Sequence, residues 1–177
     1  MNFQTVLQKY RSIAFSERDK GTRFERLMQA YLRTEPKYQA ILKTVWMWNE
    51  FPFRNEFGGK DLGIDIVAQT FNDDFWAVQC KCFDEGTYID KAAVDTFLTT
   101  SGKYFSDENM RKTSFSQRLW ISTTNRWSSE AEHTLQNQNP PVSRINLYDL
   151  ENAYVDWVKL DEGIYGTKAA LKQRDTL

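Results

Sequence analysis

The sequence has very little histidine or cysteine. Its 177 residues include one histidine, His133, and two cysteines, Cys80 and Cys82, which a single residue separates. A structural zinc site needs about four ligands, and these three residues are too few to form such a site. Cysteines two positions apart on a strand also form a poor disulfide, and we therefore predict two buried thiols in a reducing compartment.

Long apolar runs and net charge are missing as well. No window approaches the ~18 apolar residues of a membrane span, and the N-terminus MNFQTVLQKYRS has no apolar signal core. We therefore expect a soluble, cytoplasmic chain. The formal net charge is only -1, although residues 9–33 contain seven basic and three acidic residues. Such a segment contacts phosphates in some proteins and is a solvated helix face in more of them.

Apolar residues are plentiful enough for the core of one domain, since 41% of the chain is hydrophobic and 15% is aromatic. Helical spacing from Phe3 to Ala14 and from Phe24 to Leu32 predicts two helices, which Gly21 separates. Strands are predicted at residues 43–49, 62–69, 75–82, 119–121 and 144–147, and further helices after Asp90, after Ser129 and across residues 150–158. This order predicts an α/β fold, with a mixed sheet and helices on both of its faces.

Three polar residues interrupt the predicted hairpin of residues 62–82. Asp65 lies in its first strand, and Gln79 and Lys81 lie in its second. Because side chains alternate along a strand, Gln79 and Lys81 share one face, and a tight turn brings Asp65 to the same side. The opposite face is predicted to pack in the core and carries Ile64, Ile66, Ala68, Trp76, Val78, Cys80 and Cys82.

The residues alone leave two interpretations of this hairpin open. A buried, unpaired ammonium costs several kcal/mol, so Lys81 needs a nearby acceptor or a bound anion. A structural ion pair with Asp65, with Gln79 hydrogen-bonded beside it, would supply the acceptor. A functional site that binds an anionic ligand would satisfy Lys81 equally well.

The segment Gly63-Ile64-Asp65-Ile66, followed by Gln79-Cys80-Lys81, resembles the D…QxK signature of Mrr-type nucleases, a branch of the PD-(D/E)xK superfamily. By this resemblance Asp65 is the metal-binding aspartate and Lys81 the catalytic lysine. Gln79 occupies the position that is glutamate in most of the superfamily. The resemblance covers about residues 20–158 and implies a restriction-endonuclease-like mixed β-sheet flanked by helices on both faces.

Two further acidic residues have more than one interpretation. Gly21-Thr22-Arg23-Phe24-Glu25 resembles the G-x-x-F-E helix of the family, whose glutamate projects into the same site. Thr22 and Glu25 also have the spacing of a capping box, which explains Glu25 without any chemistry. Asp61 has the strand parity of Asp65, and we favour a role in capping the loop over one as an extra metal ligand.

The resemblance implies Mg²⁺ as the cofactor. Mg²⁺ prefers oxygen ligands and needs only one or two carboxylates beside a phosphate oxygen. The expected ligands are Asp65, the side-chain oxygen of Gln79 and the backbone carbonyl of Cys80, and the expected catalytic residues are Asp65, Gln79, Lys81 and Glu25. Because Gln79 is neutral, metal binding would depend more on Asp65, Glu25 and the substrate phosphate. The expected reaction is hydrolysis of a phosphodiester bond in double-stranded DNA.

A near-neutral domain binds DNA weakly by itself, because affinity rises with the number of phosphates neutralised. The chain resembles the N-terminal nuclease module of single-chain ATP-dependent type ISP restriction-modification enzymes. There a helicase-like motor, a methyltransferase and a target-recognition domain follow, and ATP is used only by those domains. We predict a nuclease domain over residues 1–160, with a helical part at about 1–35, and a linker over residues 161–177. The competing hypotheses are a nuclease-like module that docks DNA or a partner without cutting it, and a purely structural domain.

Overall fold

The computed structural model describes residues 2–58 and 63–165. The helices in this part of the chain are α1 (Asn2–Ile13), α2 (Glu17–Thr34), α3 (Pro36–Gln39), α4 (Lys91–Ser101), α5 (Ser129–Leu135), α6 (Leu147–Glu151) and α7 (Trp157–Tyr165), with short 3-10 turns at Trp48–Glu50 and Arg54–Phe57. The strands are β1 (Leu42–Met47), β2 (Ile66–Thr70), β3 (Phe75–Lys81), β4 (Phe105–Ser106), β5 (Lys112–Thr113), β6 (Phe115–Ser122) and β7 (Val142–Ile145). None of these helices is long and apolar enough to cross a lipid bilayer.

Five of the strands form a mixed sheet in the order β1-β2-β3-β6-β7. Strand β2 runs antiparallel to both β1 and β3, whereas β3 pairs with β6, and β6 with β7, in parallel. Parallel neighbours need a crossover connection, which α4 and α5 provide on one face of the sheet. Helices α1, α2 and α7 cover the other face, so the predicted fold class is confirmed.

The sheet is buried on both faces, between two separate cores. One core, facing α1 and α2, contains Val78 and Cys80 of β3. The other, facing α4, contains Ala77 together with an aromatic cluster of Phe51, Phe57, Phe75, Phe105, Phe115 and Trp120. The alternation predicted for the second hairpin strand is therefore correct, and Gln79 and Lys81 lie on the same face of this strand as Ala77.

Helix α2 starts earlier than predicted, and Gly21 lies inside it rather than between two helices. Ser16 is the N-cap, and its side chain accepts a hydrogen bond from the Asp19 amide at 3.0 Å. The Asp19 carboxylate in turn accepts one from the Phe15 amide at 3.1 Å. These reciprocal bonds satisfy two free N–H groups, so they fix the start of the helix four residues before Gly21.

The capping box predicted for Thr22 and Glu25 is consequently wrong. Thr22 and Glu25 lie in the second and third turns of a helix that has already begun, and the Thr22 hydroxyl donates to the Arg18 carbonyl at 3.0 Å. Capping of the helix N-terminus therefore does not account for Glu25.

Other element boundaries also differ from the predictions. Strand β2 begins at Ile66 rather than at residue 62, and the polar run before β6 contains the β4–β5 hairpin. The final predicted helix is two helices, α6 and α7. Residues 161–165 continue α7, and residues 166–177 lie outside the described part, so the predicted linker stays a prediction.

Candidate active site

A register irregularity sets the position of Asp65. Ile66 is the partner of Val78 in the β2–β3 register, yet the Asp65 amide also donates to the Val78 carbonyl, at 2.9 Å. Two successive residues therefore face Val78, as in a β-bulge, a feature that often re-aims a side chain beside a functional site. The Asp65 carbonyl accepts from the Trp48 amide at 2.9 Å, which ties the bulge to the end of β1.

The bulge also corrects one sequence prediction. Ile64 was expected to share the face of Ile66, but it packs in the aromatic core with Val67, while Ile66 packs against α1 and α2. Gly63, just before it, has φ +96, and a Cβ there would lie 3.2 Å from the Thr96 side chain of α4. The positive φ favours glycine at this position and permits the turn that leads into Asp65, and a Cβ here would also require the Thr96 side chain to shift.

The Asp65 carboxylate is buried and bonded to the neighbouring strand. One oxygen, Oδ2, accepts a 2.8 Å hydrogen bond from the Cys80 amide, and the residue is only 7% exposed. The carboxylate therefore replaces the ladder bond that the bulge denies to Cys80. This bond fixes Asp65 next to the Gln79-Cys80-Lys81 segment, as the sequence predicted for the two halves of the motif.

Gln79 has an unusual hydrogen-bonding state. It is 3% exposed, and its side-chain oxygen Oε1 has no hydrogen-bond partner among the described residues. A buried amide oxygen without a partner costs free energy, so native proteins rarely leave one unsatisfied without a functional reason. Gln79 directly precedes Cys80, whose backbone amide donates the hydrogen bond to Asp65.

Lys81 is half-buried at the end of β3. Its backbone is fixed by pairing with Ser122 of β6 and by a 3.2 Å bond from the Thr123 amide to its carbonyl. Within residues 2–58 and 63–165, its ammonium forms no salt bridge, so the structural ion pair with Asp65 is not formed. Lys81 therefore keeps its charge available for a ligand.

An open cleft of about 420 Å³ joins Glu25 to Asp65. It lies between α2 and the end of β1, and its walls include Arg18, Gly21, Glu25, Arg26, Trp48 and Asp65. Gln79 and Lys81 do not line this cleft but lie on β3 next to the residue that binds Asp65. Asp61, the remaining acidic candidate, lies outside the described residues.

The three charged candidates share one electrostatic environment around Cys80. Burial raises the pKa of the Cys80 thiol, the charges of Asp65 and Glu25 raise it further, and Lys81 lowers it. The thiol consequently stays protonated at neutral pH and is neither a nucleophile nor a thiolate ligand. Chemistry at this position has to come from the surrounding oxygen atoms and from Lys81.

The oxygen atoms around Asp65 fit a hard divalent cation that needs only one carboxylate among its protein ligands. The described residues contain no group of three histidine, cysteine, aspartate or glutamate side chains that could hold a metal. The available oxygen donors are the Asp65 carboxylate, the unpartnered amide oxygen of Gln79 and the Cys80 carbonyl. Oxygen donors with one carboxylate match Mg²⁺, which retains water and recruits substrate phosphate.

The basic segment of residues 9–33 is not a free patch. Six of its seven cations bind within the domain: Lys9 to Asp161, Lys20 to Glu17, Arg23 to Asp19, Arg26 to Glu50, Arg11 to the Phe83 carbonyl and Arg33 to the Val45 carbonyl. The seventh, Arg18, makes no side-chain bond to the described residues and lines the cleft. The position of Arg18 was not predicted from the sequence, although Arg18 and Glu25, seven residues apart, lie on the same face of a continuous helix.

The mixed sheet, the bulged Asp65 and the Gln79-Cys80-Lys81 strand define a restriction-endonuclease-like domain. The chain belongs to the Mrr-type catalytic domain family, whose model, described as a restriction endonuclease, matches residues 33–167. The predicted family is therefore confirmed, although Glu25 lies before the matched region.

The solved structures that are similar to the chain include two restriction enzymes. The ATP-dependent type ISP restriction-modification enzyme LlaBIII bound to DNA is 29% identical, with a TM-score of 0.62, over 80% of this chain and 8% of that chain. The MspJI restriction endonuclease in complex with a 27-mer oligonucleotide is 14% identical, with a TM-score of 0.50, over 98% of this chain and 34% of that one. No curated protein sequence matches the chain.

Proposed function

We propose that this domain is a Mg²⁺-dependent endodeoxyribonuclease that hydrolyses phosphodiester bonds in double-stranded DNA without sequence preference. The observation that carries the proposal is the bond between Asp65 and the Cys80 amide, which joins the two halves of the D…QxK motif at one point. Membership of the restriction endonuclease family supports the reaction class.

Each proposed role follows from the chemistry of the side chain. Asp65 and the Gln79 and Cys80 carbonyl oxygens would hold Mg²⁺, which when bound acidifies a water molecule and offsets the charge of the phosphate. Lys81 would donate to the phosphate oxygens and orient the attacking water, because it lies at the end of β3 and its ammonium forms no salt bridge with the described residues. Glu25 lines the same cleft as Asp65 and would accept a proton from the attacking water.

We further propose that DNA recognition and ATP-driven translocation reside in other domains of a larger restriction-modification polypeptide. The near-zero net charge of the chain favours weak DNA binding by this domain alone. LlaBIII, an ATP-dependent enzyme bound to DNA in its structure, is similar to this chain over only 8% of its own length. A helicase-like motor, a methyltransferase and a target-recognition domain are the partners that this arrangement implies.

Plasmid cleavage tests the proposal. The chain at high concentration and low salt, and its longer polypeptide where available, would be incubated with supercoiled DNA and Mg²⁺ or with EDTA. We expect strand breaks only with Mg²⁺, and none with Lys81→Met, which keeps the length of the side chain but removes its charge. Cleavage by a folded Lys81→Met variant at the wild-type rate would refute the assignment.

A second function is favoured by one observation, the shortage of carboxylates. Because no three histidine, cysteine, aspartate or glutamate side chains cluster as metal ligands among residues 2–58 and 63–165, the alternative is a domain that binds DNA or a partner without cutting it. Under this alternative, Mg²⁺ leaves the melting temperature unchanged, whereas a Mg²⁺-binding nuclease is stabilised by saturating metal in proportion to its affinity.

A further inference from the structure

Gly21 lies in the interior of a helix, where glycine is unfavourable. It is the fifth residue of the 18-residue helix α2, and glycine at such a position destabilises a helix by about 1 kcal/mol relative to alanine. Its backbone does not adopt a positive φ, and a Cβ at this position would meet nothing closer than the Glu25 carboxylate, at 4.0 Å. The fold therefore gives no reason for this glycine.

Gly21 lies on the wall of the candidate active-site cleft. Gly21 lines the cleft that contains Glu25 and Asp65, so the space that a side chain would occupy opens into the candidate site. Glycine commonly permits the close approach of a ligand to the backbone. An unfavourable glycine without an internal role, on the wall of a cleft, is consistent with such an approach.

Arg18 supplies a second, independent observation. It lies three residues before Gly21, nearly one helical turn away, and lines the same cleft. The other arginine of the cleft, Arg26, is bonded to Glu50 and to Gln29 at 3.4 and 3.2 Å. Arg18 has no such partner among the described residues, so its charge is available to an anion.

We propose that Gly21 and Arg18 form a phosphate-contacting surface, on which the sugar–phosphate backbone of DNA lies against α2 beside the reacting phosphate. This inference rests on the proposed nuclease function and names the residues that position its substrate. Two carboxylates in the cleft repel a phosphate, and Arg18 supplies the charge that offsets this repulsion. Arg18 and Gly21 are positioning residues, since neither touches the bond that breaks.

DNA binding in EDTA tests the inference without the metal-dependent reaction. Fluorescence anisotropy with a short labelled duplex would give the dissociation constant of the 177-residue chain over a range of salt concentrations. The variants are Gly21→Ala, Arg18→Gln and the double variant. The matched controls are Gly86→Ala, where a Cβ has no neighbour within 4 Å, and Arg111→Gln, in the β4–β5 hairpin.

The expected results combine higher stability with weaker binding. Gly21→Ala should raise the melting temperature by about 2–4 °C, because alanine favours the helix. Gly21→Ala should also weaken DNA binding. For Arg18→Gln, the plot of the logarithm of the binding constant against the logarithm of the salt concentration should have a slope smaller in magnitude by about 0.9 than that of wild type, because one phosphate contact is lost. The double variant should bind little more weakly than either single variant, since both changes remove the same contact.

Two results would overturn the inference. If Gly21→Ala melts below the wild type, the fold itself requires the glycine. If wild-type protein cleaves DNA with Mg²⁺ but both single variants bind as tightly as the controls, this surface does not contact phosphate and the proposed function stands. Folded wild-type protein that neither binds nor cleaves DNA with Mg²⁺, both alone at high concentration and low salt and within its longer polypeptide, would instead refute the nuclease function on which this inference rests.

Discussion

Replacement of Asp65 by asparagine and by alanine separates its role in folding from its role in chemistry. Both variants remove the carboxylate charge, but asparagine retains an oxygen that can accept the 2.8 Å bond from the Cys80 amide. Alanine leaves this buried N–H without an acceptor, because the bulge at Asp65 removes the backbone partner. We therefore expect both variants to lose cleavage and only the alanine variant to lose substantial stability.

The magnitude follows from the unsatisfied donor. A buried N–H without an acceptor costs about 1–3 kcal/mol, and 1 kcal/mol shifts the melting temperature of a domain of this size by about 2–4 °C. Asp65→Ala should therefore melt roughly 2–12 °C below Asp65→Asn. Urea unfolding of the two variants measures the same difference as a free energy.

The control for this comparison is Asp74, an exposed residue in the β2–β3 turn. Its asparagine and alanine variants should differ by less than about 0.5 kcal/mol. Equal stability of Asp65→Asn and Asp65→Ala would refute the reasoning, since the carboxylate would then not satisfy the Cys80 amide.

Three further predictions concern the buried polar groups. Asp161→Ala should cost about 1–3 kcal/mol in urea unfolding, because Tyr10 loses the acceptor of its 2.6 Å hydrogen bond. Arg118→Ala should cost about 2–3 kcal/mol in the same assay, since this buried guanidinium bonds the ends of α4 and of the loop before β7. Burial raises the pKa of Cys80 above 9.0, so wild type should lose stability relative to Cys80→Ala as pH rises through and beyond 9.0, where the unfolded thiol ionises first.

Each of these predictions has a result that contradicts it. Tyr10→Phe should cost less in the Asp161→Ala background than in wild type, and equal costs would show that the two residues do not interact. If Arg118→Ala loses no more free energy of unfolding than the exposed Arg111→Ala, the hydrogen bonds of the Arg118 guanidinium do not stabilise the fold. A constant difference between wild type and Cys80→Ala below and above pH 9 would show that the Cys80 thiol pKa is not raised by folding.

The sheet and the motif were predictable because strand alternation is a strong and local signal. The even-numbered residues Val78 and Cys80 lie in one core and Ala77 in the other, as the period of two requires. The link between Asp65 and the Gln79-Cys80-Lys81 segment was predictable because a short turn fixes the hairpin register. The sequence did not reveal the bulge, since both irregular and regular pairing satisfy the same apolar pattern, and Ile64 was therefore assigned to the wrong face.

Helix α2 shows where local signals compete. Both Ser16-x-x-Asp19 and Thr22-x-x-Glu25 have capping spacing, and the glycine between them favoured the later start. The earlier cap forms because it bonds the amides of both Phe15 and Asp19. Once α2 is continuous through Gly21, Arg18 and Glu25 lie on one face, and only this geometry identifies the wall of the cleft.

The most direct test of the central claim is to locate a divalent ion. Crystals of the protein grown with Mn²⁺, which binds at oxygen-donor sites like those of Mg²⁺, would be examined by anomalous scattering. We expect a manganese peak in contact with the Asp65 carboxylate and the Gln79 amide oxygen, and no peak there in Asp65→Asn. A fully occupied peak elsewhere, with Gln79 bonded only to protein, would contradict it.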